Sequence, residues 1–142
     1  MGYVILSFCS RNYLDAFNFS IDSWLKTSAD KIVIYTDFDL KADSEKIKIV
    51  KYFNPSKDWL VNVGRKVSVS AHYCKHNDSE QVAFLDMDCY VVNDFGEVFS
   101  DDYDLAVTRF FSKRADTITS GVWFTHLNKQ VVSFMEEWGR LE

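Results

Sequence analysis

Asp86 and Asp88 are separated by one residue and directly follow a short apolar segment, residues 82–85. That segment is predicted to be a buried strand, and the ligand sites of open parallel sheets lie at the carboxyl ends of strands. Residues i and i+2 of an extended chain point to the same side, so both carboxylates are expected to face one cation. Mg²⁺ and Mn²⁺ take oxygen ligands, and one or two carboxylates suffice for Mg²⁺ when phosphates complete its shell. The pattern predicts a metal–diphosphate site, with two solvated turn acids as the alternative.

The same Asp-x-Asp spacing occurs at two other places, residues 37–39 and residues 102–104. Both pairs lie in predicted loops, and so short a motif is easily matched by chance in an aspartate-rich chain. Only the pair at 86–88 follows directly on a predicted buried strand. Its position, more than its spacing, favours a functional site.

The elements that must position this pair alternate between strands and helices. Short apolar runs predict strands at residues 3–8, 32–35, 47–52, 82–85, 105–108 and 121–125. Apolar residues at spacings of three and four predict helices over residues 14–25, 59–76 and 129–138. Because a strand–helix–strand unit forms a parallel sheet, the sequence predicts a single α/β domain over residues 1–142 with a mostly parallel sheet.

The composition excludes several classes of protein. The chain has 142 residues, of which 16% are aromatic and 26% are charged, so it can bury a core and is not a disordered chain. It shows no apolar run of roughly 20 residues, no secretory signal at its start and no basic stripe suited to nucleic acid. Its three cysteines have no C-x-x-C spacing and are expected to be reduced, buried thiols. We expect a cytoplasmic protein with no membrane span and no nucleic-acid partner.

Residues 82–95, VAFLDMDCYVVNDF, resemble the hydrophobic strand and Asp-x-Asp segment of nucleotide-sugar-dependent glycosyltransferases with the GT-A fold. Three further segments resemble pieces of that family and occur in the same order. They are the Gly-Arg-Lys of residues 64–66, residues 104–107, and residues 120–124 before the last predicted helix. The resemblance spans most of the chain and implies a three-layer α/β/α fold around the sheet.

The resemblance also implies roles for individual residues. Asp86 and Asp88 would hold Mn²⁺ or Mg²⁺ against the donor diphosphate, with Asp86 also near the ribose. Lys66 or Arg65 would meet the donor's phosphate or sugar. Ser7, Phe8 and Cys9, at the end of the first strand, would frame the nucleotide. Asp37, after the second strand, would contact the base, and Ser120 with Gly121 would approach the donor sugar. The family's turn here is Asn-Ser-Gly, and Thr119 stands in place of its asparagine.

The function implied is a metal-dependent glycosyltransferase that moves a sugar from a UDP- or GDP-linked donor to an unidentified acceptor. If the chain forms a homo-oligomer, the second subunit would be one source of the residues that bind the acceptor. One alternative is a non-catalytic or incomplete GT-A-like domain that binds a nucleotide sugar or a protein partner. A phosphohydrolase with an Asp-x-Asp motif fits less well, because Cys89-Tyr90 stands where that class has Gly-Thr.

Several other residues are open candidates. A general base for an inverting transfer has four candidates: Asp101, Asp102, Asp104 and Asp116. His126 is a candidate third metal ligand. His72 and His76 lie four residues apart on one predicted helical face, and a surface pair is favoured over a metal site because no partner carboxylate motif accompanies them.

Overall fold

The computed structural model describes residues 2–77, 80–111 and 116–140. The strands are β1 (Val4–Cys9), β2 (Lys31–Thr36), β3 (Ile47–Lys51), β4 (Gln81–Leu85), β5 (Leu105–Phe111) and β6 (Asp116–His126). The helices are α1 (Leu14–Leu25), α2 (Trp59–His76) and α3 (Lys129–Arg140), with short 3-10 helices at Arg11–Tyr13 and Gly96–Ser100. No helix in the described part of the chain is both long and apolar enough to cross a membrane.

The six strands form one mixed sheet in the order β3-β2-β1-β4-β6-β5. Strands β3, β2, β1 and β4 run parallel, whereas β6 runs antiparallel to both β4 and β5. The predicted α/β fold with a mostly parallel sheet is confirmed. Strands β1, β2 and β4 end together at one side of the sheet, which we call the carboxyl edge. The middle of β6 reaches the same edge, because Val122 pairs with Leu85.

Two apolar clusters, one on each face of the sheet, make the fold three-layered. On β1, Ile5 and Cys9 face the cluster that contains Phe17 and Trp24 of α1, while Leu6 and Phe8 face the other. That second cluster also contains residues of α2 and α3, among them Val69, Tyr73 and Met135. The alternation of side chains along a strand therefore decides which layer each β1 residue meets.

Strands β5 and β6 are longer than predicted. They were expected over residues 105–108 and 121–125, with a loop over residues 112–116. Strand β5 extends instead to Phe111, and β6 begins already at Asp116. The rest of the predicted loop, residues 112–115, lies outside the described residues. In this extension the Thr108 and Thr119 hydroxyls lie 2.6 Å apart. The added pairs join an apolar residue to a polar one, as in Arg109 with Ile118 and Phe110 with Thr117, so an apolar strand pattern does not detect them.

Candidate functional site

The Asp86–Asp88 segment lies at the carboxyl edge, as predicted, but in a different local conformation. The Cys89 backbone N–H donates to the Asp86 carbonyl oxygen at 2.9 Å, which closes a turn over Met87 and Asp88. The expectation of an extended Asp-x-Asp was therefore wrong, because the chain reverses immediately after β4. Both carboxylates nevertheless line one cleft, so a turn, and not strand alternation, places them at the same opening.

Lys66 of α2 neutralises one of the two carboxylates. Its Nζ lies 2.6 Å from Asp86 Oδ1, and the two side chains are only 26% and 23% exposed. Burial raises the pKa of Asp86, and the charge of Asp88 raises it further, while Lys66 opposes both. Three charged groups thus lie together with one positive charge against two negative ones. This arrangement favours an additional cation beside the carboxylates.

Gly121 of β6 packs directly against the Asp86 carboxylate. The Asp86 backbone N–H donates to the Gly121 carbonyl oxygen at 2.7 Å, which holds the two chains together. A Cβ atom at position 121 would lie only 2.8 Å from Asp86 Oδ2. Because Lys66 already holds the other carboxylate oxygen, this position requires the absence of a side chain.

Replacing Gly121 with alanine is expected to displace the Asp86 carboxylate. Mn²⁺-dependent binding of a nucleoside diphosphate should then weaken by about tenfold, since misplacing a positioned group by about 1 Å can lower a reaction rate by about 10²-fold. Isothermal titration calorimetry measures this loss. Gly139→Ala is the matched control, because a Cβ there meets only Ala71 Cβ at an ordinary 3.5 Å. Equal affinity in Gly121→Ala and wild type would contradict the packing argument.

The cleft beside these carboxylates is open and lies between the end of β1, the first two turns of α2 and the turn after β4. Phe8 from the end of β1 lines it. Tyr13 and Trp59 also line it, with exposed fractions of 38% and 64%. Sequence reasoning assigned no ligand role to either. The available signal was an aromatic residue directly before α1 and another at the first position of α2.

Ser7 and Cys9, the two residues that flank Phe8, are fully buried. The Ser7 hydroxyl donates to the Leu85 carbonyl oxygen at 2.6 Å and so links β1 to β4. Cys9 lies in the cluster under α1, and burial raises the pKa of its thiol to about 12. Of the three residues predicted to frame a nucleotide, the structure brings only Phe8 to the cleft.

Asp37 and Arg65 form an ion pair next to the cleft rather than on its lining. Asp37 is fully buried, and Arg65 NH1 lies 3.0 Å from its Oδ2. The backbone N–H groups of Arg11 and Ser56 also donate to this carboxylate, at 3.1 and 3.2 Å. The Arg65 guanidinium lies over the Phe53 ring, 4.8 Å from its centre. These protein contacts engage both Asp37 oxygens and orient the loop before α2.

The Ser120-Gly121 pair lies within strand β6 rather than in a turn. Ser120 is exposed, and Thr119 points its hydroxyl at Thr108. Gly121 is therefore the member of this predicted pair that contacts the charged group, through its closeness to Asp86.

Several candidates lie at the opposite edge of the sheet. His126 pairs with Gln81 at the start of β4, so its proposed role as a third metal ligand was wrong. The antiparallel direction of β6 carries it away from Asp86. The residues just before β5 lie near His126. Its ring Nε2 is 3.2 Å from the Asp101 carbonyl oxygen, and its backbone N–H donates to the Asp104 carbonyl oxygen. The general-base candidates Asp101, Asp102 and Asp104 are thus remote from the cleft. The side chain of Asp116 lies outside the described residues.

The residues present fit a hard divalent cation only as a partial ligand set. Within residues 2–77, 80–111 and 116–140, no group of three or more His, Cys, Asp or Glu side chains is arranged to hold a metal ion. Asp86 and Asp88 offer carboxylate oxygens, and such ions commonly complete their shells with water and substrate phosphates. The donor set therefore suits Mg²⁺ or Mn²⁺ bound together with a phosphorylated ligand.

The fold is that of a class of solved structures, the glycosyltransferases. The glycosyltransferase GlyE of Streptococcus pneumoniae superposes with a TM-score of 0.66 over 99% of this chain, at 13% sequence identity. The bifunctional glycosyltransferase WbbM superposes with a TM-score of 0.61 over 99% of the chain, at 11% identity. The chain spans 38% and 34% of the lengths of these two proteins. No protein-family model and no curated protein matches the sequence. At these identities the similarity shows the fold.

Proposed function

We propose that this chain is the donor-binding core of a divalent-metal-dependent glycosyltransferase of the GT-A type. The observation that carries the proposal is the cluster of Lys66, Asp86 and Asp88 at the carboxyl edge of a glycosyltransferase-like fold. Ligands of open α/β sheets bind at this edge. The donor would be a UDP- or GDP-linked sugar, and the acceptor is unidentified.

The charges of the cluster suit the leaving group of a glycosyl transfer. When the bond between the sugar and the diphosphate breaks, negative charge develops on the departing nucleoside diphosphate. Asp86 and Asp88 would hold Mg²⁺ or Mn²⁺, which when bound acts as a Lewis acid toward that diphosphate. Lys66, whose Nζ lies 2.6 Å from Asp86 Oδ1, would supply a second positive charge to the same diphosphate. Removal of one such stabilising group typically costs about 3 kcal/mol.

The walls of the cleft indicate how a donor would lie. Trp59 opens α2, and Lys66 follows seven residues later, about 10 Å along the helix axis. The Asp58 side chain caps this end by accepting from the Leu60 N–H at 2.9 Å. Trp59 thus lies at one end of the cleft wall that α2 forms, and Lys66, beside Asp86, lies at the other. We assign the aromatic end to the nucleobase and the charged end to the diphosphate.

Replacing Trp59 with alanine is expected to lower the affinity for a nucleoside diphosphate about tenfold, because stacking of a base on an aromatic side chain contributes about 1–3 kcal/mol. Trp59 is 64% exposed, so the fold should tolerate the change. Leu60→Ala is the matched control, since Leu60 is equally exposed but does not line the cleft. Calorimetric titration with UDP or GDP in Mn²⁺ measures the difference. The assignment fails if both variants bind like wild type.

Turnover of a donor panel distinguishes the transferase from its alternatives. Each UDP- and GDP-sugar is incubated with the protein and Mn²⁺, and release of the free sugar is followed by chromatography, with water serving as the acceptor. The proposal predicts metal-dependent release from at least one donor. Tight binding without release, even with added acceptor glycans, favours the non-catalytic alternative. Hydrolysis of a simple phosphomonoester without any nucleotide binding would favour the phosphohydrolase.

A further inference from the structure

Two histidines on α2 lie side by side, well separated from the carboxylate cleft. His72 and His76 are one helical turn apart, and their ring centres are 4.6 Å apart with the planes tilted by 36°. Residues four apart on a helix are neighbours on its surface. His72 packs against Tyr35 of β2 and against Tyr52, which directly follows β3. The pair therefore lies over β2 and β3, whereas the cleft lies beside β1 and β4.

Hydrogen bonds hold one ring nitrogen of each histidine and, for His76, also assign the ring proton. His76 Nδ1 is 2.8 Å from the His72 carbonyl oxygen. A carbonyl oxygen can only accept, so the proton is assigned to His76 Nδ1 and the lone pair to Nε2. His72 Nδ1 lies 2.9 Å from the Tyr35 hydroxyl. Among the described residues, no hydrogen-bond partner is found for either Nε2 atom. Metal-bound histidines typically have this arrangement, in which one nitrogen is held by a protein group.

The surroundings leave the pair accessible. His72 is half-buried, and His76 is exposed at the end of α2. Lys75 is the nearest cation in sequence, and Glu136 of α3 compensates its charge at 3.1 Å.

We propose that His72 and His76 form a binding site for a divalent transition-metal ion. Neutral imidazole nitrogens suit Ni²⁺, Cu²⁺ and Zn²⁺, whereas Mg²⁺ prefers oxygen ligands. The two Nε2 atoms supply two ligands from one helical face, and water completes the shell. In the tautomer that this site requires, His72 Nδ1–H donates to the Tyr35 hydroxyl, so Tyr35 acts as a positioning group that holds His72 through the nitrogen that does not bind the metal. This site is independent of the proposed transferase activity.

Calorimetric titration with Ni²⁺ tests the proposal. The buffer contains excess Mg²⁺, which occupies sites made of oxygen ligands. We expect one Ni²⁺ ion per chain and at least a tenfold loss of affinity in His72→Ala and in His76→Ala. Tyr35→Phe should weaken binding about tenfold, the lower end of the range for groups that orient a ligand. The matched control His126→Ala removes the histidine that lies at the far edge of the sheet and should bind Ni²⁺ like wild type.

Two results would overturn the proposal. One is Ni²⁺ binding in the double variant His72→Ala/His76→Ala with wild-type affinity. The other is the absence of saturable Ni²⁺ binding in the wild-type chain. Circular dichroism of each variant shows that its helices are intact. The Cu²⁺ complex gives a second readout, since electron paramagnetic resonance should detect two coupled imidazole nitrogens in wild type and one in His76→Ala.

Discussion

Replacing Asp88 with asparagine is expected to slow metal-dependent sugar release by about 10²-fold or more, because it removes a carboxylate that would hold the cation against the leaving diphosphate. The fold should be unaffected. Asp88 is exposed in the turn after β4, and in the described part of the chain no protein group donates a hydrogen bond to its side chain. Steady-state release of free sugar from the best donor measures the effect, and thermal unfolding verifies stability.

A matched control for this variant is Asp102→Asn, in the Asp-x-Asp at residues 102–104. Asp102 is exposed like Asp88 but lies at the opposite edge of the sheet, just before β5. Its replacement should leave sugar release unchanged. If Asp88→Asn retains the wild-type rate in saturating Mn²⁺, the assignment of Asp88 as a metal ligand is wrong.

Replacing Asp37 with asparagine should destabilise the protein by about 3 kcal/mol, because removing one partner of a buried ion pair leaves the other uncompensated. Asp37 is fully buried and accepts from Arg65 and from the Arg11 and Ser56 N–H groups. Asparagine offers one acceptor oxygen where the carboxylate offered two. For a domain of this size the midpoint of thermal unfolding should fall by roughly 10 °C.

Asp39→Asn provides the control within the same Asp-x-Asp. The Asp39 side chain is 84% exposed and pairs with Lys51 at the surface, so its loss should change stability by less than about 1 kcal/mol. Donor affinity measured well below the unfolding midpoint separates the two roles of Asp37. A loss of affinity without a loss of stability would support the base contact that the sequence resemblance implied and would contradict a structural role.

Local sequence patterns were sufficient to predict the order of strands and helices. Helix α2 was predicted over residues 59–76, as observed, because apolar residues recur at helical spacing. The strand before Asp86 was recognisable as a short, fully apolar run. These features depend on neighbours in sequence, and so does the position of the Asp-x-Asp motif at the end of a strand.

The features that were not predicted depend on distant contacts. An apolar pattern does not encode the direction of β6, yet that direction places Gly121 against Asp86 and takes His126 to the other edge. The turn after Asp86 contains no glycine or proline, so the sequence gives no turn signal there. Strand β4 ends just before Asp86, whose backbone N–H donates to the Gly121 carbonyl oxygen. The burial of Asp37 likewise depends on Arg65, which is 28 residues away.

The central claim is that Asp86 and Asp88 bind a divalent cation together with a nucleoside diphosphate. Thermal unfolding of the wild-type chain and of Asp88→Asn, with UDP- and GDP-sugars in the presence and absence of Mn²⁺, tests it most directly. A ligand at 100 times its dissociation constant stabilises the native state by about 2.7 kcal/mol, or roughly 8 °C here. We predict such a shift for at least one donor, only with Mn²⁺ and only in the wild-type chain. No shift with any donor, or an equal shift without Mn²⁺ and in Asp88→Asn, would contradict the claim.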